Sequence, residues 1–97
     1  MIVHSVIFNL KHAKGSKAEV DFLRSADSLI AIPGVQKFQK LRQVSPKNDY
    51  DFGFSMEFAD QAAYDLYNIH PDHFAFVQQR WIPEVEKFLE IDYVALT

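Results

Sequence analysis

The stretch from Tyr50 to Phe58 constrains the fold most. Tyr50, Phe52, Phe54, Met56 and Phe58 alternate with Asp51, Gly53, Ser55 and Glu57, and a side-chain period of two belongs to a β-strand. One face of that strand is bulky and aromatic, so a second layer must cover it. Gly53 marks a point where the strand can bulge or be closely approached. Residues 2–10 alternate in the same way, with Ile2, His4, Val6, Phe8 and Leu10 on one face and Val3, Ser5, Ile7 and Asn9 on the other. His4 is the polar intruder on the apolar face: it is either a satisfied core histidine or the lining of a cavity.

Helical signals fall between and after these strands. Ser16 followed by Glu19 is a capping box, and Phe22, Ala26, Leu29 and Ile30 then recur at helical spacing until Pro33-Gly34. Residues 35–44 recur in apolarity at every third position, which fits neither period. The turn residues on both sides favour a polar, partly exposed strand there. Asp60 caps a helix carrying Ala62, Ala63, Leu66 and Tyr67. A further helix starts at Pro71 and continues through Phe74, Val77 and Trp81; Pro83 kinks or ends it, with Val85 and Phe88 beyond. Leu89, Ile91, Tyr93 and Ala95 alternate with Glu90, Asp92, Val94 and Leu96, predicting a last strand.

The order strand, helix, strand, strand, helix, strand predicts an α+β, ferredoxin-like βαββαβ fold, an antiparallel four-stranded sheet with helices on one face. No linker or repeat divides residues 1–97, so one domain is expected. The other face of the sheet would carry Val3, Ile7, Val94 and Leu96 and needs cover. A chain of 97 residues that is 48% hydrophobic with nine Phe has more apolar surface than a small monomer hides. The composition points to a shared interface or a lined pocket, and the uncovered sheet face predicts a homodimer packed sheet to sheet.

Composition narrows the partners. A net charge of −3 and a pI near 5.7, with Lys and Arg scattered singly, give no basic footprint for nucleic acid or an acidic membrane surface. The chain has no Cys, its N-terminus lacks a signal-peptide pattern, and its apolar runs fall short of the ~20 residues of a membrane span. A cytoplasmic location is the expectation.

The chemistry-bearing stretch is Tyr67-Asn68-Ile69-His70-Pro71-Asp72-His73. Pro71 disfavours helical geometry at His70 and fits the first turn of a new helix, so one helix ends near Asn68 and the next begins near Pro71. His73 falls in that first turn, where exposed N–H groups disfavour imidazolium while Asp72 favours it. Tyr67 can face the same space across the bend. A neutral imidazole and a phenol suffice for proton transfer and for polarising a carbonyl. His70 reads as a helix-end residue. A metal site is not expected, because Pro71 keeps His70 and His73 from sharing one continuous helix and no further ligands lie at suitable spacing.

With these residues in hand, the chain resembles the stress-responsive A/B barrel, or Dabb, domains. The resemblance rests on Val3-His4-Ser5-Val6-Ile7-Phe8, Phe52-Gly53-Phe54-Ser55-Met56-Glu57-Phe58, the Tyr67–His73 stretch with its His-Pro-x-His element, and Ile91-Asp92-Tyr93. It implies a homodimer whose two sheets close into a barrel, and a pocket between sheet and helices in each protomer. One branch of the family, a plant polyketide (olivetolic acid) cyclase, closes a poly-β-keto thioester by aldol condensation without a cofactor. By that resemblance His73 and Tyr67 are the catalytic pair, His4, Phe52, Phe54 and Trp81 line the pocket, and no cofactor is needed. Phe52 stands where that branch has a third-strand histidine, which makes the lining less polar. The competing readings are a cofactor-independent enzyme on a small carbonyl compound, a non-catalytic binder of a small apolar or aromatic ligand, a structural dimer filled by its own side chains, and a haem- or quinol-type monooxygenase.

Overall fold

β1 (Ile2–Leu10) is the strand on which the sheet is built. It lies between β3 (Phe52–Phe58) and β4 (Val85–Tyr93), with β2 (Gln36–Arg42) outside β3, so the order is β2-β3-β1-β4 with every neighbour antiparallel. The computed structural model covers residues 1–97. Two helical segments cross one face of this sheet: α1 (Lys17–Ser25), and α2 (Gln61–Ile69) followed by α3 (Pro71–Phe76). The architecture is the α+β ferredoxin-like βαββαβ arrangement that the element order predicts. None of the helices is long and apolar enough to cross a membrane.

Directly opposite residues in an antiparallel pair point to one face, which makes the layers easy to assign. Val6 lies opposite Phe54 on β3 and opposite Glu90 on β4; Phe8 lies opposite Phe52 and Phe88. The helix-covered face therefore carries His4, Val6 and Phe8 with Phe52, Phe54, Met56 and Phe58. Phe8, Phe22 and Phe58 have no solvent exposure. The ring of Phe8 sits 4.7 Å from Phe54, 4.9 Å from Trp81 and 5.9 Å from Phe22, centroid to centroid, so a single aromatic cluster joins the sheet to both helical segments.

α1 begins at Ser16, whose Oγ accepts from the Glu19 N–H at 3.2 Å. The Glu19 carboxylate in turn accepts from the Gly15 N–H at 3.2 Å, one residue earlier than a standard capping box. The helix tightens into a 3₁₀ turn over Ala26–Leu29, and this change of pitch moves Ile30 outward, 51% exposed, while Ile32 enters the core at 2%. β2 is an exposed edge strand with a register shift between Gln36 and Gln39, and Lys37 there has φ 50. That bulge is the reason its apolar residues fall at every third position.

The second half differs from the sequence expectation in three places. α3 widens into a π-helical turn over Val77–Trp81 and a last turn over Ile82–Glu84, and β4 begins at once at Val85. Val85 and Phe88 are thus strand residues. Phe74 is 63% exposed and Phe76, at 6%, takes its place in the core, because the inward stripe of α3 runs through His73, Phe76 and Val77. Finally, β4 pairs with β1 so that Leu89 faces Ile7, Ile91 faces Ser5 and Tyr93 faces Val3. Leu89, Ile91 and Tyr93 therefore lie on the open face of the sheet, and Glu90 and Asp92 lie on its helix-covered side. Val94 and Leu96 are beyond the strand and do not form that open face.

Candidate functional site

The site grows from the bend between α2 and α3. His70 has φ −65 and ψ 137, the extended geometry that a residue before proline favours. Its Nδ1 accepts from the Asp72 N–H at 3.1 Å, so it caps α3. Pro71 occupies the first turn, where no N–H is needed. His73, two residues on, turns inward, and its Nδ1–H donates to the Asn68 carbonyl at 3.2 Å, one of the carbonyls left over at the end of α2. That bond assigns the tautomer and leaves Nε2 as the nitrogen with a free lone pair. Burial holds His73 below the usual imidazole range, opposed in part by the Asn68 carbonyl, so the ring is neutral at pH 7.

Tyr67, on the last turn of α2, is 2% exposed. Its ring centroid is 4.5 Å from that of His73 and 6.2 Å from that of His4. The hydroxyl has no hydrogen-bond partner in the protein. Burial, and secondarily the charge of Glu90, raises its pKa, so the phenol stays protonated and is available as a donor.

His4 enters from β1 at 5% exposure. Its Nδ1 lies 2.6 Å from Asp92 Oδ1, and the hydroxyl of Tyr64 closes the group, 3.0 Å from His4 Nδ1 and donating to Asp92 Oδ2 at 2.8 Å. Asp92 thus holds the ring through Nδ1 and leaves Nε2 free. Tyr64 stacks on Phe58 at 5.0 Å and is itself buried.

These groups meet at a cavity of about 60 Å³ between sheet and helices. Its polar lining is His4, Tyr67, His73 and Glu90; the rest is apolar, from Val6, Leu29, Phe54, Met56, Phe76, Val77, Trp81 and Phe88. Phe88 and Glu90 are exposed, so the cavity opens to the surface along β4. Of the residues singled out in the sequence, His4, Phe54, Tyr67, His73 and Trp81 come together here. Phe52 does not. It is buried one pleat further along β3, opposite Phe8, with the Arg42 guanidinium 5.3 Å over its ring, whereas the cavity lies at the level of Phe54 and Met56. His70 and Pro71 stay outside, at the helix bend. No three His, Asp or Glu side chains converge as metal ligands.

Three site residues escape a reading of the sequence alone: Tyr64, Glu90 and Asp92. Tyr64 had a signal, since it precedes Tyr67 by one helical turn and must share its face. Asp92 stood within the Ile91-Asp92-Tyr93 segment of the family resemblance but had no assigned role, and Glu90 had no signal, because alternation does not say which face of an edge strand is inward.

A four-stranded antiparallel sheet with helices on one face, and a cavity between them lined by a tyrosine and two histidines, defines the protomer class of the dimeric α+β barrels. The chain belongs to the Dabb family: the stress responsive A/B barrel domain matches residues 2–95. A Dabb family protein with a ferredoxin-like fold from Mesorhizobium loti is 66% identical, with a TM-score of 0.98 over 99% of this chain and 97% of that one. A hydroxynitrile lyase from Passiflora edulis shares the fold at 16% identity, with a TM-score of 0.84 over 99% of this chain and 94% of that one. A dimeric ferredoxin-like protein from Bacteroides fragilis does so at 19% identity, with a TM-score of 0.75 over 97% and 95% of the two chains. No curated protein matches the sequence.

Proposed function

We propose that the chain is a cofactor-independent enzyme that moves a proton next to the carbonyl group of a small compound held in the cavity. His73 is the general base: neutral at pH 7, with Nδ1 pinned by the Asn68 carbonyl, it offers the Nε2 lone pair to an acidic C–H. Tyr67 orients the substrate and stabilises the enolate oxygen by donating its unpaired hydroxyl. His4, held by Asp92, lines the same space. The single observation that carries this reading is the meeting of Tyr67 and His73 on one cavity, each with one polar atom left free by the protein. The cavity's size favours a small substrate, and its largely aromatic walls favour an apolar reacting end. A hydroxynitrile lyase on the same fold is compatible with chemistry of this kind.

We further infer a homodimer, because the open face presents Val3, Ile7, Leu89, Ile91 and Tyr93 together; Leu89 is 48% and Tyr93 56% exposed in the protomer.

The test is exchange of α-protons in D₂O, followed by NMR, across a panel of small enolisable ketones. Exchange that depends on His73 and Tyr67 supports the enzyme. Saturable binding without exchange replaces it with the non-catalytic binder of an apolar ligand, and exchange that survives His73→Ala removes His73 as the base.

A further inference from the structure

Glu90 is the one carboxylate in the cavity wall, and nothing in the protein neutralises it. It makes no hydrogen bond or ion pair, while the other charged groups near this end of the sheet are spoken for. Asp92 holds His4 and Tyr64, Lys87 reaches Asp49 at 2.7 Å, and Arg80 is tied to Glu84 and Asp21. No Lys or Arg lines the cavity. The helices cannot move the acid away either, since the pairing of Glu90 with Val6 on β1 sets it on the inner face. The charge reaches the working groups: it adds to the rise at Tyr67 and opposes the fall at His73.

We propose that Glu90 sets the charge specificity of the site, so that its substrate is a small carbonyl compound carrying a cationic amine group, and carboxylate- or phosphate-bearing compounds are turned away. The inference rests on the reading of the cavity as a carbonyl site and adds the substrate class. The geometry has two ends. Tyr67 and His73 form the floor, where an apolar, aromatic wall surrounds the reacting carbon. Glu90 stands at the mouth on β4, beside Phe88, where a cationic group would meet a carboxylate and an aromatic ring together, both attractive to it. An anion entering by the same mouth meets an unneutralised like charge, with Asp92 two residues along the same face. Such like-charge placement is the usual means by which a site rejects a near-isostere. Because Glu90 is exposed, its effect is partly screened, and the preference should weaken as salt is raised.

The experiment uses three methyl ketones of similar size and measures binding alone, by calorimetry or ligand-observed NMR. They are acetonyltrimethylammonium, its uncharged carbon isostere 4,4-dimethylpentan-2-one, and the anion 4-oxopentanoate. The wild-type chain is expected to bind the cation about tenfold more tightly than the isostere, a factor equal to about 1.4 kcal/mol, with the anion weakest. Glu90→Gln should abolish the difference between cation and isostere and improve binding of the anion. Glu90 has no protein partner, so this variant is expected to keep the wild-type thermal midpoint. A wild-type chain that binds the isostere as well as the cation overturns the proposal, as does a preference that survives Glu90→Gln, or failure of all three ketones to bind. The outcome separates from that of the catalytic reading: a Glu90-dependent charge preference with no α-proton exchange leaves specificity standing and removes the base, whereas exchange with no charge preference removes only the role of Glu90.

Discussion

Two tyrosines one helical turn apart on α2 should respond oppositely to the same substitution. Tyr64 and Tyr67 are both buried, at 8% and 2% exposure, and replacement by Phe keeps either ring in its packing. Only the hydroxyl goes. At Tyr64 the hydroxyl donates to Asp92 Oδ2 at 2.8 Å and lies 3.0 Å from His4 Nδ1. A hydrogen bond to a charged group contributes about 1.5–3 kcal/mol. The Asp92 side chain is 40% exposed, so water can replace the lost donor in part, and the net cost should fall at about 1–2 kcal/mol. For a domain of this size that is a fall in thermal midpoint of roughly 4–16 °C. At Tyr67 the hydroxyl has no protein partner, so the same change should cost less than about 0.5 kcal/mol while slowing α-proton exchange. The assay is thermal unfolding at pH 7, run beside the exchange measurement for both variants. Equal midpoints for Tyr64→Phe and wild type would refute the structural role of the Tyr64–Asp92–His4 group. A large loss of stability in Tyr67→Phe would refute the claim that its hydroxyl is kept free for a substrate.

The remaining expectations concern the helix bend and the open face. His73→Ala should reduce α-proton exchange by ~10²–10⁴ and lower stability by about 1 kcal/mol through the lost bond to Asn68, with the chain still folded, read by NMR and unfolding together. In the wild type the exchange rate should be flat above the pH of free imidazole titration and fall on acidification, with its midpoint below 6.5, because burial lowers the His73 pKa and the base works only when neutral; a midpoint above 6.5 would contradict a buried neutral ring. The same sign applies to stability: above pH 6.5 His73 is neutral in both states, and as pH falls below the unfolded value the unfolded chain takes up the proton first, so His73→Ala should flatten part of that decline. His70→Ala removes the cap on the Asp72 N–H and should cost about 1 kcal/mol of stability without changing exchange, so a loss of exchange there with full activity in His73→Ala would mean the two histidines have each other's role. Ile7→Asp, on the open face, should convert a dimer burying on the order of 1,200 Å² or more into a folded monomer by sedimentation; a wild-type chain that is already monomeric would remove the barrel.

What the sequence made legible, and what it hid, follows from how each signal arises. β1 and β3 were readable because each is covered by helices on one face, and burial imposes a strict period of two on Val6, Phe8, Phe54, Met56 and Phe58. The Tyr67–His73 bend was readable because Pro71 restricts backbone geometry locally, whatever surrounds it. β2 was harder, since the bulge at Lys37 breaks the period where no local residue announces it. β4 was misread for a deeper reason. Its alternation is perfectly clear, yet Leu89, Ile91 and Tyr93 lie on the open face and Glu90 and Asp92 face inward, the reverse of what a lone protomer would favour. Both halves of that reversal fit the proposed homodimer, which would cover the open face, and the cavity on the inner face with Glu90 in its wall. On the proposed reading the same inversion links dimer and site: β4 would give Leu89, Ile91 and Tyr93 to a partner, and it sets Glu90 and Asp92, with Phe88, on the helix-covered side.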